Sequence, residues 1–111
     1  MSVIYGKEAQ RYTIAPGRER YLAHGSRVMV VVMDFADGPS DQPDAPHSHP
    51  HEQITYVAEG HVVFFLGETP YELSAGDLIT VPPDVPHSIQ LLTASARLVD
   101  TFSPIREDFL F

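Results

Sequence analysis

The stretch His47-Ser48-His49-Pro50-His51-Glu52-Gln53-Ile54-Thr55-Tyr56-Val57-Ala58-Glu59-Gly60 decides how this chain is read. Its second half, from Gln53 to Glu59, has strand length, is rich in β-branched and aromatic residues, and closes on the turn pair Glu59-Gly60. Its first half sets three histidines within five residues directly before that strand. Alternate side chains of an extended chain share a face, so His47, His49 and Gln53 fall on one side. Two imidazoles and an amide oxygen can therefore converge. A His-x-His pair in a proline-rich loop also arises as a surface accident, and the pair alone does not define a site.

Outward from this stretch the same pattern repeats. Residues 27–35, 61–66, 77–81, 88–92 and 96–102 read as further strands, with shorter candidates at 13–15, 19–23 and 71–73. Turn formers such as Gly67-Glu68-Thr69-Pro70 and Ala75-Gly76-Asp77 separate them. Ten prolines argue against long helices. Many short strands at regular spacing predict an all-β sandwich or barrel. One polar, proline-rich loop, 36–46, is long, but too little chain flanks it for two cores, so 1–111 reads as a single domain. Near the end, Ser103-Pro104 reads as an N-cap followed by proline at the first helical position, which predicts a short helical turn with Arg106 about one turn in.

Composition excludes several classes of function. Seven Lys and Arg against fifteen Asp and Glu leave a net charge of -8, which repels nucleic acid and anionic membranes. No apolar run reaches the roughly 18 residues of a membrane span, and the first residues lack a signal-peptide layout, so the cytoplasm is the expected location. With no cysteine and six histidines, a metal would be held by His, carboxylate, amide or water.

A fourth histidine sharpens the reading. His87 ends the segment Val81-Pro82-Pro83-Asp84-Val85-Pro86-His87, where three prolines restrict the backbone and can hold an imidazole in place. From His47 the pattern runs His-x-His-x3-Gln-x6-Gly60, then fifteen residues, then Gly76-x5-Pro82-x4-His87. This resembles the two-part signature of the cupin superfamily over 41–91. The resemblance implies a small β-barrel of jelly-roll type whose first motif supplies three metal ligands and whose second supplies one. The chain departs from the common pattern at Asp41, Asp84 and Leu91, and at Gln53, where the usual ligand is glutamate. Three imidazoles and an amide are all neutral, so such a site keeps the full charge of a divalent ion, which suits polarising a substrate oxygen better than iron oxygen chemistry. Glu52 is the alternative third ligand.

The C-terminal strand puts Leu98, Asp100 and Phe102 on one face. A carboxylate on a buried face needs a partner or a raised pKa, either of which suits proton transfer. Alternatively Leu98 and Phe102 are core while Asp100 caps a turn or pairs with an arginine, and Arg106 is a solvated charge beside Glu107 and Asp108. The segments HSHPHEQITYVAEG, GDLITVPPDVPH and VDTFSPIREDFL are similar to the KdgF-type cupins of pectin and alginate breakdown. That resemblance implies an enzyme of isomerase type that opens 4,5-unsaturated monouronates to the linear 5-keto-4-deoxyuronate. It implies His47, His49, Gln53 and His87 as ligands of one divalent ion (Zn, Ni, Mn, Fe or Co), Asp100 and Arg106 as catalytic, and Phe102 and Arg106 as substrate-binding. Another metal cupin enzyme (isomerase, epimerase, oxygenase or lyase) and a non-catalytic sugar-binding cupin are the alternatives. A homodimer is expected from the apolar run 28–33 and the greasy termini. His24 and His61 read as surface or edge residues.

Overall fold

The structure is a computed structural model that describes residues 2–110. It holds nine strands: β1 (Tyr12–Ala15), β2 (Arg18–His24), β3 (Met29–Phe35), β4 (Glu52–Glu59), β5 (His61–Leu66), β6 (Thr69–Ser74), β7 (Leu78–Val81), β8 (His87–Leu91) and β9 (Ala96–Ser103). They form a six-stranded sheet in the order β1-β2-β3-β9-β4-β7 and a three-stranded sheet in the order β6-β5-β8, with antiparallel pairing throughout. Among the described residues no helix is long and apolar enough to cross a membrane.

The period-two pattern does the placing. Along β4, Gln53, Thr55 and Val57 are buried while Ile54 and Tyr56 are exposed. One apolar cluster joins the two sheets through Phe35, Val57, Val62, Leu91, Ala96 and Leu98. A second gathers Met29, Val31 and Phe102, with Ile105 and Phe109 packed against it. Register sets a polar row between them: Val57 pairs with Leu98, Thr55 with Asp100, and Gln53 with Phe102. Each fully buried aliphatic side chain contributes about 1.5–3 kcal/mol. The polar row forgoes that gain.

Two backbone positions shape the turns. Gly60, at φ +88°, joins β4 to β5 where a Cβ would stand 2.6 Å from the Ser95 carbonyl oxygen. Only glycine accepts both the left-handed backbone and that approach. Asp84, at φ 65°, is the non-glycine residue with positive φ among those described, a conformation aspartate tolerates better than most. Its N–H donates to the His49 carbonyl at 2.8 Å, while His47 and His87 exchange backbone hydrogen bonds of 3.0 and 2.9 Å. The two histidine-bearing segments are thus tied main chain to main chain.

The loop 36–46 runs beside β8: the N–H groups of Ser40 and Asp44 donate to the carbonyls of Leu91 and Ile89. Arg18 clamps it through Asp37 (2.9 Å) and Asp44 (2.6 Å). Pro70, expected in a turn, lies in β6 opposite Phe65, and the turn is Gly67-Glu68 alone. Proline is tolerated there because β6 is an edge strand. The C-terminal turn also differs from expectation. Ser103 does not cap it, because Ser103 is the last residue of β9, paired with Glu52, and its hydroxyl donates to the Arg27 carbonyl at 3.0 Å. The turn is a 3-10 helix over Glu107–Phe109 with Arg106 at its N-cap position rather than one turn inside.

Candidate metal centre and cavity

His47, His49 and His87 bring one ring nitrogen each to within 4.8 Å of one another. His87 hangs from the first residue of β8. Its Nδ1–H donates to the Val85 carbonyl at 2.9 Å, and its Nε2 is buried without a partner among the described residues. Burial, reinforced by His47, His49 and Arg106, pushes its pKa down to about 4, so the ring is neutral with a lone pair on Nε2. Burial, with His49 and Arg106, lowers the pKa of His47 too.

His49 faces two acceptors, the His51 carbonyl from Nδ1 at 3.0 Å and the Gln53 Oε1 from Nε2 at 2.9 Å. A neutral imidazole has a single N–H. With that proton given to the carbonyl, the Nε2 lone pair and the amide oxygen aim at a common point. The Gln53 amide is held in this sense because its NH2 donates to Thr55 Oγ1 at 2.8 Å, and the Thr55 hydroxyl donates to Asp100 Oδ1 at 2.7 Å. An orphaned imidazole nitrogen, a second ring nitrogen facing an amide oxygen and a third histidine make a donor set that fits a divalent transition-metal ion. The His51 and Val85 carbonyls fix the ring orientations of His49 and His87, the kind of support that metal-binding histidines commonly have. Glu52 is exposed on the opposite face of β4, and His51, despite its parity, lies outside the three-histidine group because the chain bends at 50–51.

Beside the histidines opens a cavity of about 320 Å³, lined by residues that include His47, Gln53, His87, Asp100, Arg106 and Phe109. Burial pushes the Asp100 carboxyl up to about 6, against the Thr55 hydroxyl and the Arg106 charge, which favour its ionised form. Arg106 reaches the cavity wall with its guanidinium 4.0 Å from the Phe109 ring centre, and donates to Asp108 at 2.8 Å. Phe102 is 2% exposed, edge-on to His49 (5.6 Å) and to Phe109 (5.8 Å), and is not part of the lining. It stands behind the site. Phe64, stacked on His87, and Phe109 supply aromatic wall instead.

The profile of the family described as "Cupin domain" matches residues 31–102. The chain belongs to the cupin family. This cupin is 32% identical to the pectin degradation protein KdgF of Dickeya dadantii (strain 3937) over 94 residues, covering 84% of this chain and 83% of the relative. It superposes on the structure of KdgF from Halomonas sp. with a TM-score of 0.88 at 31% identity, covering 98% of each chain. An RmlC-like cupin from Shewanella frigidimarina NCIMB 400 matches at 34% identity and TM-score 0.86, covering 96% of this chain and 93% of that one.

Sequence reading missed Thr55, Arg18, Arg20 and Phe109. Thr55 shares the parity of Gln53 on β4, and that signal was available. The cavity role of the other three depends on β2 and the C-terminal turn packing over the same interior, which no local pattern announces.

Proposed function

We propose that this cupin opens the ring of 4,5-unsaturated monouronates, which polysaccharide lyases release from pectin or alginate, to give the linear 5-keto-4-deoxyuronate. The observation that carries the reading is the Gln53–Thr55–Asp100 chain. It couples the donor cluster to a proton-transfer carboxyl on the wall of one cavity of about 320 Å³. That volume lies at the low end for ligand sites and suits a monosaccharide. Similarity to the two KdgF proteins supports the substrate class.

His47, His49, Gln53 and His87 hold one divalent ion, and none of the four offsets its charge. When bound, the ion supplies Lewis-acid stabilisation of negative charge on a substrate oxygen. Asp100 does the proton work. Its carboxylate takes the proton of the anomeric hydroxyl as the bond between C1 and the ring oxygen breaks, leaving an aldehyde at C1 and an enolate across C4 and C5. Asp100 returns the proton to C4, and the enolate becomes the C5 ketone. The sum is an isomerisation with no atom gained. With Oδ1 engaged by Thr55, the other carboxyl oxygen meets the substrate. Arg106 orients the sugar acid at the wall, and Phe102 acts on the substrate through His49 and Phe109, the rings it props.

The reading places the protein in the cytoplasm as a homodimer that buries the outer face of the six-stranded sheet. Metal-loaded protein is expected to accelerate the loss of ultraviolet absorbance of freshly made unsaturated galacturonate; a rate equal to the spontaneous one overturns the proposal.

A further inference from the structure

Three arginines, Arg18, Arg20 and Arg106, line the cavity. Two are already committed. Arg18 is gripped by Asp44 through two nitrogens (2.6 and 3.2 Å) and by Asp37 at 2.9 Å. Arg106 is paired with Asp108 through Nε at 3.4 Å and a terminal nitrogen at 2.8 Å. Arg20 is different. Its side chain forms no hydrogen bond or ion pair with any described residue, and its Nε is buried without a partner. Its guanidinium carbon sits over the Phe109 ring, 3.9 Å from the ring centre, with that of Arg106 at 4.0 Å from the same centre.

Such an arrangement costs energy. Two guanidiniums share one aromatic ring, and the nearby carboxylate, Asp108, is bonded to Arg106. Burial and the Arg106 charge disfavour the cationic form of Arg20, with Asp108 opposing them. An arginine that lines a cavity, with no carboxylate bonded to it among the described residues, is the environment an incoming carboxylate relieves. Its place in the sheet fits that role. On β2, Arg20 pairs with Met33, and Met33 pairs with Leu98 on β9, one inward-facing step from Asp100. Two strand spacings, about 10 Å, separate the backbones of β2 and β9.

We propose that Arg20 binds the carboxylate of the substrate, so that one end of the molecule is fixed at the Arg20–Phe109 wall while the other meets Asp100 and the histidine cluster. This rests on the reading of the cavity as the site of a monouronate and assigns the acid recognition to a residue that sequence reading did not mark. Arg106, its fork occupied by Asp108, then shapes the wall and supports Phe109 rather than carrying the acid alone.

The test compares metal-loaded wild type with Arg20→Gln, which keeps a planar polar head without charge, and Arg20→Lys, which keeps charge without the fork. With unsaturated galacturonate, Arg20→Gln is expected to raise KM at least tenfold while kcat stays within about threefold, and Arg20→Lys to recover part of the loss. Binding of unreactive galacturonate and of neutral galactose is followed in parallel by calorimetry. Wild type prefers the acid, Arg20→Gln loses that preference, and galactose binding is unchanged. If wild type turns over no unsaturated uronate yet the acid preference still disappears in Arg20→Gln, the proposed reaction falls and the anion site stands. If KM and the preference survive in Arg20→Gln, or both sugars weaken equally, Arg20 is only a prop for Phe109 and the inference is overturned. Should Arg20→Gln fail to fold, Arg20→Lys decides alone: an undiminished preference for galacturonate contradicts the fork.

Discussion

Asp100 is where the energetics of the site are most exposed. Its carboxyl titrates at about 6 in the folded chain against about 4 in an open one. Between those pH values the folded state binds more protons than the unfolded state, so wild type loses stability as pH rises through the window. Asparagine has no proton to lose. Metal-free Asp100→Asn is therefore expected to be more stable than wild type by about 2–3 kcal/mol at pH 7 and above, at 1.36 kcal/mol per unit, with the advantage vanishing below pH 4. Thermal unfolding of chelator-treated protein across pH measures this. The same substitution is expected to slow turnover by about 10²–10⁴, the usual worth of a positioned acid–base group. A residue whose removal stabilises the fold and removes the activity is kept for chemistry. Equal stability of the two proteins at neutral pH would place Asp100 in an unstrained structural role.

The elements owe their positions to a few turns and to strand parity. Gly60 is the sharpest case, since a methyl group there meets the Ser95 carbonyl at 2.6 Å in a left-handed backbone. Gly60→Ala is expected to cost about 2–4 kcal/mol, combining left-handed strain with overpacking, read as a lowered urea midpoint. A midpoint unchanged within error would contradict the assigned turn. The strands were legible because period two is written plainly in residues such as Gln53, Thr55 and Val57. The histidine cluster was legible because its motif segments keep a recognisable spacing. Other features were not. Ser103 and Pro104 carry a helix-start signal that pairing with β4 overrides, and Phe102, expected at the wall, is drawn into the apolar cluster with Met29 and Val31. Arg20 looks like any charge in a short strand, because its place at the cavity comes from Phe109, nearly ninety positions away in the chain.

Across the molecule, the outer face of the six-stranded sheet is apolar where a lone domain would carry charge. Register aligns Val30, Thr101, Ile54 and Thr80 in one row, and Val32, Val99, Tyr56 and Leu78 in the next. Val30, Ile54, Tyr56 and Leu78 are 38%, 42%, 41% and 63% exposed. The proposed homodimer would cover this surface, as contiguous exposed apolar patches favour association. Sedimentation is expected to give a dimer for wild type and a monomer for Ile54→Glu; a wild-type monomer would remove the dimer from the account. The acidic net charge of -8 is compatible at this scale with the proposed substrate, since large polyanions are repelled while one small acid would meet Arg20, Arg106 and the histidine cluster.

The most direct test of the central claim is a proton-NMR time course of freshly generated unsaturated galacturonate with protein stripped by chelator and then reloaded with a single divalent ion. The account predicts that the C4 vinyl signal disappears faster than the spontaneous rate with loaded wild type, and at the spontaneous rate with stripped protein or loaded Asp100→Asn. Loaded wild type no faster than buffer, or stripped protein as fast as loaded, would contradict it.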